Sequence, residues 1–126
     1  MDPMGDVSGL ERRLFAAAEE KRSPLYGILE LTPLCNFRCD MCYVRLEAEE
    51  LAARGRLHRA AEWLALGEEM RRAGTLFILL TGGEPLLHPD FREIYLGLRN
   101  LGMILTINTN GSLIDAETAA FFGRHK

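Results

Sequence analysis

Thr75-Leu76-Phe77-Ile78-Leu79-Leu80-Thr81-Gly82-Gly83-Glu84-Pro85 runs from a continuous apolar stretch straight into paired glycines, a carboxylate and a proline. A run that is apolar without alternation predicts a strand covered on both faces by helices, as in parallel α/β sheets. Gly82 and Gly83 then leave the backbone bare at the C-terminal end of that strand, which permits close approach of a ligand. Strand C-terminal ends are where α/β folds collect their chemistry.

Working upstream, Leu25 to Thr32 has the same apolar character and stops at Pro33. Downstream, residues 103–108 read as a third strand with Thr109-Asn110-Gly111 as its exit loop. Helical patterns separate the strands. Residues 46–53 favour helix until Arg54-Gly55-Arg56, and a longer helix from Arg59 to Arg72 places Trp63, Leu66 and Met70 on its buried side. His88-Pro89-Asp90 opens a helix to Leu101 with Asp90 as N-cap, and Asp115 caps a last short helix ending near Phe122. Ahead of all this, residues 8–22 form a helix that covers one end of the sheet, its start marked by a Ser8/Glu11 capping box. Crossovers of this length make parallel, right-handed connections. The fold class expected is α/β: three successive strand-helix units with parallel strands, plus an N-terminal helix.

Cys35, Cys39 and Cys42 are the chain's three cysteines, all in the loop after the first strand at spacing C-x3-C-x2-C. A disulfide framework wants an even count, and structural zinc wants four ligands. Iron-sulfur clusters usually take four cysteines, so three clustered thiolates suit a cubane with one iron open to an outside ligand. His58, His88 and His125 have no metal-ligand spacing with these thiols and read as surface or loop residues.

The chain has 126 residues, 48% hydrophobic and 26% charged, with net charge −3. That is the profile of an ordinary globular domain with one core. It carries no basic footprint for nucleic acid, no secretory signal, and no apolar run of the ~20 residues that cross a membrane. Reduced cysteines then point to the cytoplasm.

With the C-x3-C-x2-C loop, Gly82-Gly83-Glu84-Pro85 and Thr109-Asn110-Gly111 in hand, the chain resembles the N-terminal part of the radical S-adenosylmethionine (radical SAM) superfamily over residues 25–122. The wording Leu31-Thr32-Pro33-Leu34-Cys35-Asn36-Phe37-Arg38-Cys39 through Cys42-Tyr43-Val44 is most similar to the SPASM-type branch, many of whose members modify peptides or proteins. The resemblance implies a partial (β/α) barrel, of which residues 25–126 would be the N-terminal half, truncated, behind an extension at 1–24. It implies a 4Fe-4S cluster on Cys35, Cys39 and Cys42, whose open iron binds S-adenosylmethionine. Reductive cleavage to a 5'-deoxyadenosyl radical and hydrogen abstraction follow. It also implies close backbone approach of the ligand at Gly82 and Gly83, a hydrogen bond from the methionyl amino group to Glu84, Met41 near the adenine, Tyr43 lining the site or the core, and Asn110 facing the same pocket. Partners would be a peptide or protein substrate and an electron donor such as a flavodoxin or ferredoxin. Two other readings stay open: a zinc- or cluster-binding interaction module, and a non-catalytic truncated remnant.

Overall fold

A computed structural model describes residues 9–125 of the chain; the expected N-cap Ser8 and the terminal Lys126 lie outside them. Helix α1 (Gly9–Lys21) leads into strand β1 (Tyr26–Glu30), α2 (Ala48–Arg54), α3 (Ala60–Ala73), β2 (Phe77–Thr81), α4 (Phe91–Asn100), β3 (Ile104–Ile107) and α5 (Ala116–Arg124). A 3-10 turn at Pro85–Leu87 joins β2 to α4. The sheet order is β1-β2-β3, all parallel, with Ile28 opposite Leu79 and Leu79 opposite Thr106. The α/β expectation therefore holds, as one arc of a barrel.

The core lies between one face of this sheet and helices α3 and α4. Leu29, Ile78 and Leu80 from the sheet meet Phe91, Ile94 and Leu98 from α4, all buried. Each fully buried aliphatic side chain is worth about 1.5–3 kcal/mol against exposure. Helices α3 and α4 approach closely because Gly67 lies under Leu98 and Gly97 under Leu64; a Cβ at either glycine would stand 2.4 or 2.3 Å from those methyls.

Two expectations need correction. The strands are not covered on both faces: Tyr26, Ile28 and Ile104, on the face away from α3 and α4, are more than half exposed. The period-2 geometry of a strand sends these residues to the concave side, which three strands cannot enclose. In α3 the buried residues are Ala60 and Gly67, with Trp63, Leu64 and Met70 packed against the core, whereas Leu66 is 40% exposed. The close α3–α4 contact is made through the Leu64/Gly67 side, which turns Leu66 outward.

Asp90 stands at the N-cap of α4 but makes no side-chain cap bond. Its carboxylate instead accepts the Ala60 N–H at 3.0 Å and pairs with the Arg59 guanidinium at 3.0 Å, so it fastens the start of α3 to the start of α4. Asp115 does cap α5, accepting the Thr118 N–H at 2.8 Å.

Candidate cofactor-binding site

Three loops leave the C-terminal ends of β1, β2 and β3, and parallel pairing brings them together. The first is the thiol loop. Its base is closed by Leu46 N–H to the Pro33 carbonyl at 3.0 Å, and its tip turns through Cys42 N–H to the Cys39 carbonyl at 3.0 Å. Glu47, at the start of α2, pairs with both Arg38 (3.1 Å) and Arg45, one from each limb of the loop. All three thiols are free, Cys35 half-buried and Cys39 and Cys42 exposed. Backbone N–H groups of Val44 and Arg45 donate to the Cys42 sulfur and hold its pKa below the ordinary thiol value, which favours the metal-binding thiolate. Among the described residues no three His, Cys, Asp or Glu side chains converge on one point that could hold a single metal ion.

The second loop begins with Gly82 and Gly83. Gly82 has φ +144°, and a Cβ there would stand 2.3 Å from the Thr32 carbonyl oxygen. One on Gly83 would stand 2.4 Å from that of Leu34. What the bare backbone admits here is the root of the thiol loop: Gly83 N–H donates to Thr32 O at 2.7 Å and Glu84 N–H to Leu34 O at 2.9 Å. Thr32, itself buried, accepts the Leu34 N–H on its hydroxyl at 3.1 Å and so shapes the same root. The glycine pair thus seats the cysteines, whatever else it does.

Glu84 is 0% exposed. Its Oε1 accepts the Leu86 N–H at 3.0 Å and the Thr109 hydroxyl at 2.8 Å, and its Oε2 accepts the Asn110 N–H at 2.8 Å. Three of roughly four acceptor positions of a carboxylate are therefore filled by the protein. Its observed work is to tie the second loop to the third.

Asn110 continues the chain of contacts. Its Nδ2 donates to Asn36 Oδ1 at 2.9 Å and lies 4.0 Å from the Cys35 sulfur. Its Oδ1 accepts from both the N–H and the hydroxyl of Ser112, at 2.9 and 2.7 Å. Between the second and third loops lies a cleft of about 320 Å³ lined by Thr81, Gly82, Gly83, Ile107, Asn108, Thr109 and Asn110. Gly82, Gly83 and Asn110 are thus together at one cleft beside Cys35. Met41 and Tyr43 are not among its walls; they are 86% and 93% exposed, so Tyr43 is no core residue. Asn36, Thr109 and Ser112 were assigned no role at the site, although Thr109 and Asn36 lie within the stretches that carry the resemblance. For Ser112 the only sequence signal is a short polar side chain just after a strand exit.

His88 lies in a loop, one of the two places expected of it, but it is not on the surface. It is buried, its Nδ1 accepts the Asp90 N–H at 3.1 Å, and its Nε2 lies 3.0 Å from the His58 carbonyl. It is a structural link between the α3 and α4 starts.

Parallel strands with a thiol loop, a glycine loop and a polar cleft at one end define an α/β-barrel cofactor protein. The family model described as the radical SAM superfamily matches residues 29–126, and the chain belongs to that superfamily, whose enzymes use a 4Fe-4S cluster and S-adenosylmethionine. The Fe-coproporphyrin III synthase of Methanosarcina barkeri is 32% identical over 114 residues, 90% of this chain and 27% of that protein. The PqqA peptide cyclase of Gluconobacter oxydans is 34% identical over 92 residues, 73% of this chain and 25% of that one. Among solved structures, Streptococcus suis SuiB bound to precursor peptide SuiA matches 89% of this chain at TM-score 0.67 and 21% identity, over 25% of its own length. SuiB bound to S-adenosylmethionine matches the same share at TM-score 0.68 and 21% identity, over 26% of its own length. The likeness is to the SPASM-type branch. The chain spans about a quarter of the length of these relatives.

Proposed function

We propose that residues 25–126 form the N-terminal half of a radical SAM partial-barrel domain, with residues 1–24 an extension carrying one helix. Cys35, Cys39 and Cys42 would each hold one iron of a 4Fe-4S cluster. The donor set fits the group: three free thiols on one closed loop fill three corners of a cubane, whereas a structural zinc site wants a fourth ligand. When bound, the cluster and S-adenosylmethionine together supply one-electron cleavage of the sulfonium to a 5'-deoxyadenosyl radical for hydrogen abstraction.

The chain's own residues do the holding. The Gly82–Gly83 backbone and the cleft beside it would receive the methionyl end, with Asn110 on the facing wall. Glu84 would act on the amino group through its one unfilled acceptor position and otherwise by fixing the cleft's two walls. Met41 and Tyr43 are exposed on the thiol loop and would pack on the nucleoside. A peptide or protein substrate is supported by the peptide named in the PqqA cyclase and in the SuiB complex. A flavodoxin or ferredoxin would supply the electron, in the cytoplasm, where thiols stay reduced; no helix among the described residues is long and apolar enough to cross a membrane.

The observation that carries this reading is the meeting of the three thiols, the glycine pair and the polar cleft at one end of one parallel sheet. Anaerobic reconstitution tests it. Uptake of about four irons per chain, lost when the three cysteines become alanine, with a spectral change on adding S-adenosylmethionine, is the expected result. Tight zinc with no response to S-adenosylmethionine would overturn it in favour of an interaction module.

A further inference from the structure

Four polar groups that are neither the cysteines nor the Gly-Gly-Glu residues (Asn36, Thr109, Asn110 and Ser112) link all three loops in one unbroken hydrogen-bonded path. It starts at buried Glu84, passes to the Thr109 hydroxyl and the Asn110 N–H, and crosses through the Asn110 carboxamide to Asn36 Oδ1 at 2.9 Å. Asn36 Nδ2 donates to the Ser112 hydroxyl at 2.8 Å, and that hydroxyl donates to Asn110 Oδ1 at 2.7 Å. Asn36, Asn110 and Ser112 therefore close a ring in which each side chain both donates and accepts. The ring joins residues about 75 apart in sequence, at the one edge of the thiol loop that faces the cleft. Cys35, the half-buried thiol of the three, lies beside this ring: its sulfur accepts the Phe37 N–H at 3.4 Å and lies 4.0 Å from Asn110 Nδ2.

We infer that Asn36, Asn110 and Ser112 form a latch that positions the Cys35 sulfur, setting its place relative to the glycine loop and supplying it with a hydrogen-bond donor. The latch rests on the reading of the three thiols as cluster ligands. A pair of exposed side chains would not hold a loop by itself, since an isolated hydrogen bond in water nets little. A closed ring tied through Asn110 to a fully buried carboxylate loses far less of its strength to side-chain freedom. The consequence for the metal follows from charge: an N–H aimed at a ligating sulfur stabilises the more negative, reduced state, and hydrogen bonds to sulfur are one of the determinants of cluster potential. Asn110 faces the sulfur itself, its Nδ2 4.0 Å away at the outer limit of a hydrogen bond to sulfur. Asn36 and Ser112 act through Asn110 and are positioning residues.

The test uses the reconstituted 126-residue chain and two readouts other than turnover: the reduction potential of the cluster by spectroelectrochemistry, and the rate at which an iron chelator strips it. Asn110→Ala is expected to move the potential to a more negative value and to speed iron loss roughly fivefold, the scale of one lost hydrogen bond. Ser112→Ala, which touches no cysteine, is expected to move both in the same direction by less, and Ser112→Thr, which keeps the hydroxyl, to restore the parent values. Full iron loading with potential and release rate unchanged in both alanine variants would overturn the latch while leaving the proposed function intact. Failure of the parent chain itself to load iron and sulfide would instead remove the proposed function, and the latch with it. Should Asn110→Ala not fold, the exposed Ser112 pair decides the matter alone.

Discussion

Glu84 shows how one buried side chain can hold two walls of a site together. Both of its oxygens face a backbone N–H, Oε1 that of Leu86 and Oε2 that of Asn110. Glu84→Gln therefore cannot be accommodated by flipping the amide, because its NH2 meets an N–H donor in either orientation. We expect a loss of about 2 kcal/mol of stability, from a buried donor left unsatisfied, measurable as a lower denaturant midpoint with unchanged slope. A midpoint equal to that of the parent chain would show that the clamp carries no energy. The Gly-Gly-Glu motif was legible in the sequence, but its first job was not. Its glycines and its carboxylate serve contacts with residues 32–34 and 109–110, and no local pattern announces which distant backbone will fill the space a missing Cβ leaves.

Among the elements, α3 and α4 form the outer layer that holds β2 and β3 in place, and the join between their starts contains His88. Its Nδ1 accepts an N–H, so the proton belongs on Nε2, facing the His58 carbonyl. Burial is the main reason its pKa lies below the ordinary histidine value, outweighing the carbonyl contact and the nearby Asp90 charge, which pull the other way. Because the folded pKa is depressed, the unfolded chain takes up the proton first as pH falls. The stabilisation is thus fully present above the unfolded value of about 6.5 and is lost progressively below it, until the folded pKa is also passed. Denaturation midpoints between pH 7.5 and 5 should fall for the parent chain, and this part of the slope should vanish in His88→Gln. An unchanged slope would assign the pH dependence elsewhere. The helices and their order were readable from apolar periodicity and caps. The Gly67–Leu98 and Gly97–Leu64 sockets were not, since a glycine within a helical pattern reads as a weak point until the neighbouring helix is in view.

For the molecule as a whole, the three strands bury one face and leave the other open. Tyr26, Ile28 and Ile104 stand exposed on that concave side, with Phe77 and Leu79 half-buried among them. A patch of this kind binds apolar dyes. The double variant Ile28→Thr, Ile104→Thr should cut dye fluorescence strongly while shifting stability by less than about 1 kcal/mol, because side chains already in water lose little burial. Undiminished dye binding would place the apolar surface elsewhere, such as at exposed Leu10 and Phe15 of α1.

The α/β class, the parallel pairing of three strands and the C-x3-C-x2-C spacing of the cysteines could be read from the chain alone. Those depend on periodicity and on residues that lie close along the chain. It took the folded arrangement to reveal that the glycine pair seats the thiol loop, that Glu84 clamps two loops together, that Asn36, Asn110 and Ser112 close a ring beside Cys35, and that one sheet face of this chain is exposed. Each of these depends on groups 25 to 76 residues apart or on how many strands curve around the same axis. Parallel pairing brings such groups to one end of the sheet, and nothing local in the chain encodes which of them will touch.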